Sequence, residues 1–150
     1  MEFEKKIGQT RPFRNEKERA MVNILFTNAW LNDRMRDFME QFGITRQQFN
    51  VLRILRGQHP NAISTNEIRT RMVDRAPDTS RIVDRMVQKQ LVAKEVCSTD
   101  KRLVDVRITT KGLDLLKAIE TNNIKIESFL DNLSNDEARS LNELLDKLKE

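Results

Sequence analysis

Tyrosine is absent from the 150 residues, and cysteine, histidine and tryptophan occur once each. A lone thiol, Cys97, closes no internal disulfide, and with His59 it offers too few soft ligands for a structural zinc site. Only four glycines and three prolines punctuate the chain, which excludes a flexible low-complexity linker and favours a mainly helical fold. Apolar runs are short, so no membrane-spanning helix is expected. The N-terminal stretch MEFEKKIGQTRPF lacks an apolar signal core, and the cytoplasm is the expected compartment. There is no Gly-rich phosphate loop, no HExxH pair and no nucleophile at motif spacing from a base, so neither an enzyme nor a cofactor is expected.

What is present is charge and helical periodicity. The chain is 38% apolar and 33% charged, with a net charge of +4. Residues 1–63 and 64–111 each carry eleven Lys/Arg against seven Asp/Glu, whereas residues 112–150 carry five against nine. A polyanion should therefore meet the middle of the chain and avoid its acidic end. Asn15 followed by Glu18 starts a helix whose apolar positions Met21, Leu25, Leu31, Met35, Phe38 and Phe42 run at helical spacing until Gly43. Thr45 with Gln48, Ser64 with Glu67 and Ser134 with Glu137 repeat the same start signal. Met21, Met35, Met39, Met72 and Met86 are read as core, and Cys97 as a small buried hydrophobe.

The stretch 64–112 concentrates the functional signal. A capped helix over 64–72 leads through a proline-containing turn into a second helix over 79–90. Two runs alternating with period two follow, joined by the polar tip 98–102. That order describes a helix-turn-helix with a β-hairpin wing. It presents Thr79, Ser80, Arg81 and Arg85 near the start of the second helix and Lys101 and Arg102 at the wing tip. Arg can donate twice to guanine or enter a narrow minor groove, and Thr or Ser can contact a thymine methyl or a phosphate. Arg69 and Arg75 are candidates for phosphate contacts, as is Arg71. Thr109 or Thr110 is expected to cap one long helix through Leu113, Leu116, Ile119, Ile126, Leu130 and Leu133. A last helix carries Leu141, Leu144, Leu145 and Leu148, more apolar surface than one small domain covers.

The segment SRIVDRMVQKQLV with DKRLVDVRITTKG resembles the MarR family of winged-helix transcription regulators. The wing pattern is met by Asp100, Arg102, Val106, Ile108, Thr109 and Gly112, and the resemblance spans nearly the whole chain beyond residue 14. It implies a fold that is mainly α with a small β-hairpin wing, one domain over 1–150. Within it, 45–109 form the winged helix-turn-helix, and 15–43 and 110–150 form dimerisation helices. The implied function is sequence-specific binding of double-stranded DNA by a homodimer, as a repressor at a palindromic operator. It further implies that Asp100 pairs with an arginine at the wing base, for which Arg85 is the candidate. Gln90 stands where the family has glycine, and a left-handed backbone there costs a side chain roughly 1 kcal/mol. A small aromatic acid is the implied ligand class, and Trp30, Phe49 and Arg53, with Arg34 nearby, are its candidate contacts. The competing reading is an adaptor that uses the same fold for protein assembly without DNA.

Overall fold

A five-residue helix, α1 (Glu2–Lys6), precedes the first capped start. Asn15 Oδ1 accepts the Glu18 N–H at 2.9 Å and opens α2 (Glu16–Glu40). Beyond α2, the Gly43 N–H reaches the Glu40 carbonyl and the Ile44 N–H the Met39 carbonyl, with Gly43 at φ +68°. This pair of bonds satisfies carbonyls that the helix end leaves open, and glycine takes the left-handed position without steric cost. Thr45 and Gln48 cap each other reciprocally at the start of α3 (Arg46–Arg56). After β1 (Ile63–Ser64), Ser64 caps α4 (Thr65–Arg71) by accepting the Glu67 N–H. The second helix of the motif, α5 (Thr79–Gln88), is followed by β2 (Val92–Val96) and β3 (Val104–Ile108). Thr109 then caps α6 (Thr110–Glu120), and after a 3₁₀ turn (Ile126–Leu130) the reciprocal pair Ser134 and Glu137 starts α7 (Asn135–Lys147). The structure, a computed structural model, describes residues 2–75, 78–97, 99–100, 102 and 104–150.

The three strands form an antiparallel sheet in the order β1-β3-β2, with Ile63 opposite Val106 and Val92 opposite Ile108. The core sits between this sheet and α3, α4, α5 and the start of α6. Leu52, Leu55, Ile68, Val83, Met86, Val106 and Leu116 are almost fully enclosed there, each worth about 1.5–3 kcal/mol as buried apolar surface. Gly112 lies where α6 crosses the chain: a Cβ would stand 2.4 Å from the Leu91 carbonyl oxygen. No helix among the described residues is long and apolar enough to cross a membrane.

Four expectations need correction. A third strand, β1, joins the hairpin; two residues are too short to leave a period-two signal. The long helix expected from 110 is broken at Thr121. There the Thr121 hydroxyl donates to the Lys117 carbonyl and Asn122 Oδ1 accepts the Asn123 N–H, local bonds that compete with helix continuation. Met21 is exposed, although Met39, Met72 and Met86 are core. Cys97 is only half-buried, and its thiol lies 3.2 Å from the Thr99 hydroxyl.

Candidate nucleic-acid interface

Helix α5 divides into two faces because its apolar residues recur at helical spacing. Val83 and Met86 are buried, and Ile82 and Val87 pack beside them. The opposite stripe carries Ser80, Arg81, Asp84, Arg85 and Gln88, all exposed. Arg81 and Arg85 lie one turn apart and share a face; among the described residues neither guanidinium has an ion-pair partner. The acidic residue between them is accounted for by Lys94 of β2, which donates to Asp84 and forms an ion pair with it. That contact removes an uncompensated negative charge from a face that would meet phosphates, and it ties the wing to the helix. Lys94 and Asp84 escaped the sequence reading because their contact joins a strand and a helix ten positions apart.

Thr79 departs from the expectation. It is only 2% exposed, and its hydroxyl lies 3.8 Å from Met72 Sδ; at the first position of α5 it faces the core and is withdrawn from the exposed stripe. Asp78 stands at the N-cap, but its side chain makes no capping bond. The turn before α5 is held from outside: Asn50 Oδ1 accepts the Val73 N–H at 2.9 Å, and Arg46 pairs with Asp74 at 2.5 Å. Both anchors project from α3, so α3 holds the segment that leads into α5.

At the C-terminal end, the Leu91 N–H donates to Met86 and the Gln90 N–H to Val87, with Gln90 at φ 61°. The left-handed conformation expected of a glycine is thus adopted by Gln90. The Thr109 hydroxyl donates to the Gln90 carbonyl at 2.7 Å and holds it there.

On the wing, Asp100 does not pair with Arg85. Its Oδ1 accepts the Arg102 N–H at 2.9 Å and folds the tip into an Asx turn. That leaves the Arg102 side chain exposed and without an ion pair among the described residues. Lys101 lies outside the described residues, as do the 76–77 turn positions. Hydrogen bonds from the Thr99 side chain and from the Thr99 and Asp100 backbone hold the Cys97 thiol below its ordinary pKa. Arg69 donates to Asn66 Oδ1 at 2.7 Å and remains exposed, Arg71 is held by Glu67, and Arg75 is exposed in the turn.

The candidate ligand contacts do not converge. The Arg53 guanidinium lies 5.8 Å from the Phe49 ring centre. Both line a cavity of about 310 Å³ between α3, α6 and the 3₁₀ turn, beside Arg56 and Ile126. Trp30 lines a different cavity with Phe3 and Phe26, and Arg34 stacks on its ring at 4.6 Å. Trp30 precedes the buried end of α2 at Phe38 by eight residues, roughly 12 Å of helical rise, and this separates it from the Phe49 site.

The sequence model described as MarR family matches residues 42–103. The chain is similar to the crystal structure of a MarR transcription factor from Planctomyces limnophilus, with 30% identity and a TM-score of 0.70. That match covers 90% of this chain and 98% of the other. A mutant MarR from E. coli complexed with operator DNA is 26% identical, with a TM-score of 0.77 over 92% of this chain and 99% of that one. The HTH-type transcriptional regulator MhqR of Bacillus subtilis is 26% identical over 119 residues, 79% of this chain and 81% of the relative.

Proposed function

Because the chain belongs to the MarR family of transcription regulators, we propose that it reads double-stranded DNA as a homodimer and represses transcription from a palindromic operator in the cytoplasm. It is a regulator and not an enzyme. The observation that carries the reading is the exposed couple Arg81 and Arg85 on α5, without an ion pair among the described residues, beside an Asp84 already neutralised by Lys94. Two guanidiniums one turn apart suit guanine edges or adjacent phosphates in a major groove. Ser80 accompanies them there, Arg102 and Lys101 suit a neighbouring minor groove, and Arg69 and Arg75 suit flanking phosphates.

Duplexes selected from a random library are expected to contain an inverted repeat whose half-sites lie one helical turn apart. Arg81→Ala should weaken binding to the selected duplex by about 1–3 kcal/mol. Recovery of no preferred sequence, with unchanged gel shifts for Arg81→Ala and Arg85→Ala, would replace this reading with the DNA-free adaptor.

Ligand control is proposed at the Phe49 and Arg53 cavity. An aromatic acid could set its ring against Phe49 and its carboxylate on Arg53, whose guanidinium has no ion-pair partner among the described residues. By favouring one separation of the two readers, such a ligand would change their fit to successive major grooves. Salicylate is the probe: saturating salicylate should lower operator affinity in the native chain and leave the Arg53→Ala variant unaffected.

A further inference from the structure

A second cavity lies at the C-terminal end of α5. It is a groove of about 570 Å³ between the α2–α3 turn at Phe42, Gly43 and Ile44, the cap of α5 and one face of α6, within the size range of small-molecule sites. Phe42, Leu115 and Ala118 form apolar walls, and Lys89, Lys111 and Asp114 stand among the lining residues. The α6 residues recur at positions 111, 114, 115 and 118 and so share one face of that helix.

Lys89 is the informative residue. Its ammonium donates to the Gly43 carbonyl at 2.7 Å and to Gln48 Oε1 at 3.0 Å. Gln48 is itself only 3% exposed, and its Oε1 also accepts the Thr45 N–H at 3.1 Å. The cation is therefore fixed by two bonds, and one of its three donors is left over. Lys111 has no ion-pair partner among the described residues, so two ammonium groups face a single carboxylate, that of Asp114. An inorganic anion would leave the apolar walls unused, and a plain hydrocarbon would leave the ammonium groups unmatched.

We propose that this groove binds an amphipathic monocarboxylate, with its carboxylate held by Lys89 and Lys111 and its apolar body laid along Phe42, Leu115 and Ala118. The site is separate from the Phe49 cavity and does not depend on the functional reading above. Its consequence for DNA does rest on that reading: the ligand would occupy the same lysine that ties the end of α5 to the α2–α3 turn.

Octanoate is the probe and octan-1-ol its uncharged counterpart. Titration of the ¹⁵N-labelled full chain with octanoate should give saturable shifts at the Gly43, Leu91 and Ala118 amides and none at Phe49 and Arg53. Octan-1-ol, and octanoate with Lys111→Met, should bind roughly tenfold more weakly, whereas Lys111→Arg should bind like the native chain. Absence of shifts, shifts confined to Phe49 and Arg53, or equal affinity for the alcohol would overturn the site. So would a folded Leu115→Asp variant whose sedimentation changes while octanoate moves no groove resonance, since the groove would then be a contact between copies. Gel shifts of Lys111→Met without octanoate report on the DNA reading separately and should match the native chain.

Discussion

Gln90, just beyond the end of α5, stands at φ 61°, where a side-chain-bearing residue is held at a cost of about 1–2 kcal/mol. Glycine would remove that cost but raise the entropy of the unfolded chain by about 0.4–1 kcal/mol. Gln90→Gly should therefore stabilise the protein by about 0.5–1 kcal/mol net, read as a higher urea midpoint at unchanged slope; a lower midpoint would show that the Gln90 side chain contributes packing of its own. Gly112→Ala should do the opposite. Its new methyl would meet the Leu91 carbonyl oxygen at 2.4 Å and Ile108 Cγ1 at 2.7 Å, and overpacking of this kind costs about 1–3 kcal/mol. The same glycine belongs to the wing pattern in the sequence, and its physical reason is this crossing. At the wing tip, Arg102→Ala should lower the salt slope of operator binding by up to about one unit and relax preference at flanking A/T positions.

At the scale of elements, the α4–α5 turn is pinned by Asn50 and Arg46, neither of which lies on the exposed stripe of α5. Asn50→Leu removes an acceptor for the Val73 N–H without removing a positive charge. It should weaken specific binding while leaving the salt slope and non-specific binding unchanged, and Asn50→Asp, which keeps an acceptor, should restore most of the loss. A reduced salt slope in Asn50→Leu would show that phosphate contacts had been lost instead. The starts of α2, α3, α4 and α7 were legible in the sequence because a cap is a local device: one side chain and an amide three residues on. The bounds of the wing were legible for a similar reason, since its alternation is local. Strand β1 and the inward turn of Thr79 were not, because the first depends on a partner distant in sequence and the second on a rotation of one residue at a helix start; the break at Thr121 is made by local bonds, but the apolar positions on either side of it keep helical spacing and hide it. The short helix α1 was likewise unplaced. It is held by Phe3 against Phe26 and by Glu4 bonded to Arg19 at 2.7 Å, both long-range contacts. The Arg19 hydrogen bond keeps the Glu4 carboxyl below its ordinary pKa. That tie is therefore complete above the ordinary carboxylate range and is lost as pH falls through the lowered value. Acidification should change Trp30 emission in the native chain, because Trp30 shares a cavity with Phe3. In Glu4→Gln the same change should already be present at neutral pH.

The whole molecule is unevenly enclosed. Its core lies in the middle of the chain, yet no residue of α7 is buried. Leu144 and Leu148 are 68% and 66% exposed, and Leu25 on α2 is 63% exposed. An amphipathic helix with its leucines in water lacks the burial that normally stabilises it, and the proposed second copy would cover α7 and the outer half of α2. The acidic 112–150 segment and the basic 1–63 segment also favour a contact in which one copy's tail meets the other's N-terminal half. The double substitution Leu144→Glu with Leu148→Glu should therefore yield a monomer of 17.6 kDa by sedimentation. The reader should remain folded, because none of its core residues comes from α7. Operator affinity should then fall by about 10²–10⁴, since the second half-site is no longer engaged as part of one assembly. Binding to an isolated half-site should fall far less. A variant that stays dimeric would move the interface off α7, and a monomer that binds the full operator as tightly as the native chain would remove the two-half-site model while leaving the α5 contacts in place.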